Sequence, residues 1–189
     1  MLLNEFVPEY EFSEIHSISV KRSPADVFSS LRSLLPADVP LVGLLMFVRS
    51  LAAWILERKR FSARDEEPFF DQMTRWGFVV LADDSPNEIV FGLVGRFWEP
   101  TGSICRKIDR PIDFFEFDEA LWAKAGWSFR VEEVDGFSIL RTETRVHATD
   151  PAARKRFARY WRFISPGSGI IRRAILRAAK KKAEAGRSP

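Results

Sequence analysis

Between Leu140 and Ala183 the chain reads LRTETRVHATDPAARKRFARYWRFISPGSGIIRRAILRAAKKKA, which is its most regular stretch. The first seven residues alternate in polarity, as a half-buried β-strand does. After Asp150, apolar side chains recur at steps of three, four or multiples of these, which predicts a long amphipathic helix. The apolar stripe consists of Phe157, Tyr160, Trp161, Ile164, Ile171, Ile175 and Ala178, and the opposite stripe of Lys155, Arg159, Arg162, Arg173, Arg177 and Lys180.

The ends of this helix are marked by residue type. Asp150 can cap free amide groups, and Pro151 is tolerated at the first helical position because its missing N–H has no partner there. Gly186 is a typical stop. Pro166 removes one backbone hydrogen bond, so we expect a kinked helix or two abutting ones. At about 1.5 Å per residue, residues 150–183 would span about 50 Å, and a helix of that length needs a sheet to pack on.

Length and composition predict one domain, residues 1–189, with a flexible tail at 184–189. The chain has 189 residues, 46% hydrophobic and 13% aromatic, enough for a sizeable core. Cys105 is the only cysteine, which excludes an internal disulfide. The start MLLNEFVPEY lacks the basic flank and apolar block of a signal peptide, so we expect a cytoplasmic protein.

Charge is distributed unevenly along the chain. Residues 151–189 carry 12 Lys and Arg against one acidic residue, a net charge of +11, while the remaining residues carry 17 basic and 25 acidic ones, a net charge of −8. A basic helix can meet nucleic acid or anionic lipid. We favour a solvated helix face held near the acidic part of the same domain. No base-stacking aromatic pattern accompanies the charges, so no nucleic-acid partner is predicted.

The rest of the chain alternates between strand and helix patterns in a simple order. Residues 16–21 alternate as a strand that places His16 on the inward face with Ile18 and Val20. A capping signal at Ser23 opens a short helix. Hairpins follow, with turns at residues 84–87 and at Asp135–Gly136, and residues 113–117 are assigned to a further strand. Strands joined by hairpins predict an antiparallel sheet and an α+β fold, with helices on one curved face.

The most apolar stretch, residues 39–56, predicts a second helix after the first strand. Arg49 and Pro40 argue against a membrane span, because a charge at mid-span costs roughly 2.5–3.5 kcal/mol. No stable membrane insertion is therefore expected. Apolar side chains surround the buried stripe of residues 41–55 on several sides, which leaves open a lid over a cavity, a transient membrane-surface contact or a homodimer interface.

This order of elements resembles the helix-grip fold of the SRPBCC superfamily, which includes START lipid-binding domains and polyketide cyclases. The resemblance covers about Phe12 to Ala183 and implies a curved antiparallel sheet wrapped around a long C-terminal helix, with a cavity between them that often takes an apolar ligand. It carries over no catalytic residue, because the superfamily shares none. The matching segments are HSISV (16–20) with SPADVF (23–28), GFVVL (77–81), IVFGLVGRFW (89–98), TETRV (142–146), and YWR (160–162) through SGIIR (168–172).

Six residues are candidates for contacting a ligand in that cavity. His16, Thr142 and Thr144 are the polar ones. A core histidine bonded to one neighbour is the more common explanation of His16, and ordinary strand threonines explain Thr142 and Thr144 equally well. The aromatic walls are Trp127, Phe129 and Trp161, which would also be core residues.

No catalytic, metal or cofactor site is predicted. The two histidines lack cysteine partners, and Cys105 has no spacing typical of a nucleophile. Arg96, Glu143 and Arg145 could form a charge network on a sheet face, and we favour the simpler interpretation of exposed cross-strand pairs.

Three functions remain open at this point. The first is the binding of a hydrophobic small molecule or lipid, which needs only apolar walls and one polar anchor. The second is a cavity enzyme of cyclase, dehydratase or hydrolase type using His16 or a nearby carboxylate, which would require convergent acid–base groups. The third is an interaction module that uses the basic C-terminal helix. We favour binding because the sequence identifies no such acid–base pair.

Overall fold

The computed structural model describes residues 1–40, 67–99 and 104–186. Five helices and six strands lie in these ranges, together with a 3-10 turn at Pro36–Asp38. The elements are α1 (Leu3–Phe6), β1 (Phe12–Val20), α2 (Pro24–Arg32), α3 (Phe69–Arg75), β2 (Val79–Asp84), β3 (Glu88–Arg96), β4 (Ile104–Arg106), α4 (Pro111–Phe115), β5 (Ala123–Val134), β6 (Phe137–Ala148) and α5 (Pro151–Ala185).

All six strands form one antiparallel sheet in the order β1-β6-β5-β3-β2, with β4 paired to β3. The longest hairpin, β5–β6, turns at Asp135 and Gly136, whose φ angles of 51° and 76° are those of the tight turn that this dipeptide favours. The antiparallel α+β architecture predicted from the sequence is confirmed.

Helix α5 crosses one face of the sheet, here called the inner face, and packs against β1, β6 and α2. It is a single helix of 35 residues that continues through Pro166. Its first turn is capped by Asp150, whose Oδ1 accepts hydrogen bonds from the amides of Ala152 at 2.7 Å and Ala153 at 2.9 Å. Its buried residues are Ala153, Phe157, Gly169, Arg172, Ile175, Leu176, Ala179 and Ala183.

The main core lies between the inner face and helices α2, α3 and α5. Aromatic rings make up its centre, with Phe70 lying 5.0 Å from Phe91 and 5.2 Å from Phe129 between ring centroids. Aliphatic side chains from α2, α5 and the strands complete it, among them Leu31, Leu140 and Ile175, all fully buried. This core fixes α5 to the sheet along the C-terminal half of the helix.

The opposite, outer face of the sheet is also covered, by residues 1–10 and by α4. Leu3 and Val7 pack over Gly126 so closely that a Cβ there would lie 2.7 Å from Leu3 Cδ1 and 2.8 Å from Val7 Cγ2. Phe114 of α4 packs in the same way over Gly92. The two glycines therefore let side chains from outside the sheet reach its backbone, and β3 is buried on both faces.

The assignment of residues 113–117 to a strand is wrong. Pro111 starts a short helix there, and the helix buries Phe114 against the outer face. Two adjacent phenylalanines favour a strand when the segment is considered by itself. In the folded protein, the packing of Phe114 against the sheet decides the local structure.

The interpretation of Arg96, Glu143 and Arg145 as exposed pairs is also wrong. Arg145 Nε donates to Glu143 Oε1 at 2.7 Å, and Nη1 donates to the backbone oxygen of Val7 at 3.2 Å, so residues 1–10 bury both charges. Arg96 lies apart from them and donates to the backbone oxygen of Leu121.

The helix ends at the predicted stop, since Gly186 is its C-cap residue, and the tail predicted to begin at residue 184 overlaps its last turn. Helix α5 continues to Ala185, so Glu184 is helical, and its Oε1 accepts from the amide of Lys21 at 3.3 Å. The predicted helix over residues 41–55 lies outside the described residues. Within the described ranges, no helix is long and apolar enough to span a membrane.

Replacing the α5 cap by Asp150→Ala should lower the free energy of unfolding by about 1 kcal/mol at neutral pH. Hydrogen bonds from the amides of Leu121 and Ala153 hold the pKa of Asp150 below its ordinary value. A lowered folded-state pKa stabilises the fold above the unfolded pKa of about 3.9, and this stabilisation is lost as the pH falls through the folded pKa.

Urea denaturation from neutral pH down to pH values below the unfolded pKa should therefore show that the free energies of unfolding of wild type and Asp150→Ala converge in acid. Asp109→Ala is the control, because its ion pair with Lys107 is exposed and contributes little. A difference between wild type and Asp150→Ala that stays constant down to pH values well below the unfolded pKa would contradict this role.

Candidate ligand-binding site

The site lies where β1 passes beneath the middle of α5. Alternate residues of β1 point to the inner face, which brings Glu14 and His16 towards the helix. Gly169 of α5 faces them, and a Cβ at this position would overlap Glu14 Oε1 and lie 3.2 Å from His16 Nε2. The absence of a side chain at Gly169 therefore allows the helix to approach these two residues directly.

Arg172 lies at the centre of the site, with only 6% of its surface exposed. Its Nε and Nη2 donate to Thr144 Oγ1 at 3.1 and 2.7 Å. Its Nη1 donates to Glu14 Oε2 at 3.1 Å and to Ser168 Oγ. The guanidinium carbon also lies 5.3 Å from the ring centroid of Trp127, a cation–π distance. Arg172 thus joins β1, β6, β5 and α5 at one point.

Glu14 bridges Arg172 and His16. While its Oε2 accepts from Arg172, its Oε1 lies 2.8 Å from His16 Nε2. An ionised carboxylate only accepts hydrogen bonds, so His16 Nε2 carries the hydrogen in this pair. The side chains of Glu14 and His16 are 16% and 18% exposed. We call Glu14, His16, Thr144, Ser168 and Arg172 the polar cluster.

Burial and charge act in opposite directions on Arg172. Burial lowers the pKa of its guanidinium, and the negative charge of Glu14 raises it. Arginine stays protonated in proteins even when buried, so the cluster contains a charged ion pair. Removing two charges from water costs several kcal/mol per ion, which good geometry only partly offsets.

An open cleft of about 360 Å³ leads from solvent to the polar cluster. Glu14 belongs to both, since it lines the cleft and bonds to Arg172. Trp161 forms an aromatic wall, with its ring stacked on Phe157 at 5.7 Å between centroids. The cleft is lined by Ser13, Glu14, Trp161, Ser165, Pro166, Gly169 and Arg173.

Three of the six predicted ligand contacts lie at this site. His16 and Thr144 belong to the polar cluster, and Trp161 lines the cleft. Their predicted role in binding a ligand stays a prediction.

The other three predicted contacts lie deeper, towards the main core. Trp127 is half-buried, and its Nε1 donates to Thr142 Oγ1 at 2.6 Å. The Thr142 hydroxyl donates in turn to the backbone oxygen of Ser128 at 2.9 Å, so it is bonded within the protein. Phe129 is fully buried, with its ring 5.1 Å from that of Trp127. These three residues support the floor of the site.

Glu14 and Arg172 are the two central residues that the sequence analysis did not identify. Glu14 lies two positions before His16 and therefore shares its strand face. Arg172 lies three residues before Ile175 and fifteen after Phe157, which places it within the buried stripe of α5. The helical phase alone could have distinguished the inward-facing Arg172 from Arg173 and Arg177, which face outward. No sequence pattern, however, pairs Arg172 with Glu14.

Six antiparallel strands with a long C-terminal helix packed across one face define a helix-grip α+β domain.

Comparison with known proteins adds solved structures of low similarity. CalU16 from Micromonospora echinospora is 11% identical with a TM-score of 0.30, over 92% of this chain and 84% of CalU16. Ara h 8.0201 is 11% identical with a TM-score of 0.29, over 93% and 99%. The di-domain ARO/CYC BexL from the BE-7585A biosynthetic pathway is 14% identical with a TM-score of 0.35, over 98% of this chain and 54% of BexL.

No protein-family profile and no curated protein sequence matches the chain. Because all three TM-scores lie below 0.5, the fold assignment rests on this chain's own sheet order and helix packing.

Two glycines of α5 offer a matched test of the close approach at the site. Replacing either by alanine favours the helix by up to about 1 kcal/mol. Gly167 has nothing within 4 Å of its would-be Cβ, so Gly167→Ala should stabilise the protein. Gly169→Ala should instead destabilise it by about 1–3 kcal/mol, because the methyl group displaces Glu14 from its partners.

Urea denaturation of the two variants side by side measures this difference. Equal stabilisation of both would mean that α5 does not press on Glu14, which would contradict the geometry of the site.

Proposed function

We propose that the domain binds an apolar small molecule or lipid in the cleft between β1 and α5, with the polar end of the ligand at Glu14. The observation that carries this proposal is the charged Glu14–Arg172 pair. It lies between a sheet and a helix, where proteins normally have an apolar core, and the cleft connects it to solvent. The resemblance to the SRPBCC superfamily agrees with this proposal, and membership of that superfamily is part of it.

Burying the charges of the polar cluster costs free energy, which indicates that the cluster serves a function other than stability. Replacing a buried ion pair by apolar residues of similar volume is often neutral or stabilising. A chain that needed only to fasten α5 to β1 would be served as well by aliphatic side chains. Charged residues at the floor of a cleft are, in contrast, suited to orient the polar end of a ligand.

The free hydrogen-bonding capacity of the cluster indicates what that polar end must be. Arg172 has five N–H donors, and four hydrogen bonds to Thr144, Glu14 and Ser168 occupy most of them. The Glu14 carboxylate accepts one bond on each oxygen and has lone pairs left on the side of the cleft. The ligand should therefore donate a hydrogen bond, as a hydroxyl group does, while its apolar part contacts Trp161.

The size of the cleft fits such a molecule. Ligand pockets in proteins measure about 300–1,000 Å³, and the cleft of about 360 Å³ lies at the lower end of that range. A short-chain alcohol or the head of a longer lipid would fill it.

A second candidate function is catalysis in the same cleft. Glu14 Oε1 and His16 Nε2, 2.8 Å apart, are arranged like a carboxylate that orients a histidine base. This is the acid–base pair that the sequence analysis lacked, and it favours a cyclase, dehydratase or hydrolase over other reactions. Against it, His16 lies behind Glu14 and does not line the cleft.

Binding of 1-decanol, followed by the total tryptophan emission of the protein, tests the proposed function. Wild-type protein should bind decanol more tightly than decane, because only the alcohol donates to Glu14. Trp161→Ala should weaken decanol binding by about tenfold or more, since it removes an apolar wall worth roughly 1.5–3 kcal/mol; this variant is followed by native mass spectrometry. Phe137→Ala, an exposed aromatic residue elsewhere, is the matched control.

Native mass spectrometry of freshly purified protein separates binding from catalysis. A carried-along apolar molecule of one mass in both wild type and His16→Gln would support binding. A different molecule in His16→Gln, of the mass of an unconverted substrate, would support catalysis. If nothing is carried along and decanol does not bind, the proposal is wrong.

A further inference from the structure

The solvent-facing side of α5 has two large apolar side chains at its middle. Phe163 is 84% exposed, the most of any large hydrophobic residue among those described, and Ile170 is 43% exposed. They are seven residues apart, which is two helical turns, so both point the same way. Arg159 and Arg162 flank them on one side along the helix, and Arg173 and Arg177 on the other. We call these six residues the outer α5 face.

The four arginines of this face are not neutralised within the described part of the protein. Other basic residues of α5 do form ion pairs, namely Arg172 with Glu14, Lys180 with Glu184 and Lys182 with Asp38. None of the four arginines forms one with another described residue. The positive charge of these four arginines therefore stays on the surface, around an apolar centre.

We propose that the outer α5 face docks on the surface of an anionic lipid bilayer. A helix with arginines around exposed apolar side chains is suited to lie in the plane of the headgroups, with Phe163 inserted among the acyl chains. Anionic headgroups attract the arginines and supply the charge complement that the protein lacks. Nucleic acid would satisfy the arginines but would leave Phe163 and Ile170 without an apolar partner.

The outer α5 face adjoins the cleft. Arg173 belongs to the face and also lines the cleft, and Pro166, exposed between Phe163 and Ile170, lines it as well. Docking would thus bring the cleft mouth to the bilayer surface, from which an amphiphilic molecule could enter. The docking proposal goes beyond the proposed ligand binding and does not depend on it, because the face is present whether or not the cleft is filled.

Vesicle flotation tests the docking proposal on the full chain. Vesicles of phosphatidylcholine containing about one third phosphatidylglycerol should bind the protein, and vesicles of phosphatidylcholine alone should not. Added salt should weaken the binding because it screens the charges. Phe163→Ala should reduce the partition coefficient at least about fivefold. Neutralising Arg159 and Arg162 together should reduce it about twenty-five-fold, at about fivefold for each charge.

Two control variants lie outside α5, in α4 and in the segment that precedes it. Phe115→Ala removes another exposed phenylalanine, and replacing Lys107 and Arg110 by glutamine removes two exposed charges. Both should bind vesicles as wild type does. All these positions are exposed, so the variants should fold, which circular dichroism can verify.

Three outcomes of the flotation assay would overturn the docking proposal. They are no flotation with anionic vesicles, equal flotation with neutral ones, and a Phe163→Ala variant that behaves like Phe115→Ala. Binding to a DNA duplex that needs the arginines but not Phe163, without vesicle binding, would also overturn it. Glu14→Gln, altered only in the cleft, should still float, so a failure of ligand binding and a failure of docking can be told apart.

Discussion

The ion pair between Arg172 of α5 and Glu14 of β1 is the interaction on which the rest of the site depends. Arg172 is held from three further directions, by Thr144, Ser168 and the ring of Trp127. Glu14 in turn holds His16. Gly169 makes this possible, because a larger residue would keep the helix away from Glu14. The shape of the cleft therefore depends on one charged contact and one missing side chain, while the main core fixes the helix to the sheet.

The sheet beneath this contact is anchored on both faces. Residues 1–10 and α4 press into the outer face at Gly126 and Gly92, and they bury the Glu143–Arg145 pair. Aromatic packing around Phe70, Phe91 and Phe129 fills the inner face beside the site. A sheet that is packed on both faces can hold Glu14 and Thr144 at constant positions. A binding site built on strands requires such fixed positions. Helix α5, which lies over the inner face of the sheet, is more exposed, and the outer α5 face is open to solvent.

The sequence predicted the elements whose signals are local and missed the contacts that join distant residues. The apolar stripe of α5, its cap at Asp150 and the Asp135–Gly136 turn each depend on neighbouring residues, and all were found. Helix α4 was missed because packing of Phe114 on the sheet decides its conformation. The positions of residues within their strand or helix period identified three members of the site, His16, Thr144 and Trp161. Glu14 and Arg172 were not, because 158 positions separate them and only the fold brings them together.

The central claim is that the buried Glu14–Arg172 pair is kept for the ligand and is not needed for the fold. The free energy of unfolding of the double variant Glu14→Leu/Arg172→Met, measured by urea denaturation, tests this most directly. We expect it to equal or exceed that of wild type, although Glu14→Leu alone, which leaves the buried Arg172 without its anionic partner, should lose about 3–5 kcal/mol. A double variant that loses as much as the single one would contradict the claim, because the charged pair would then be a structural requirement.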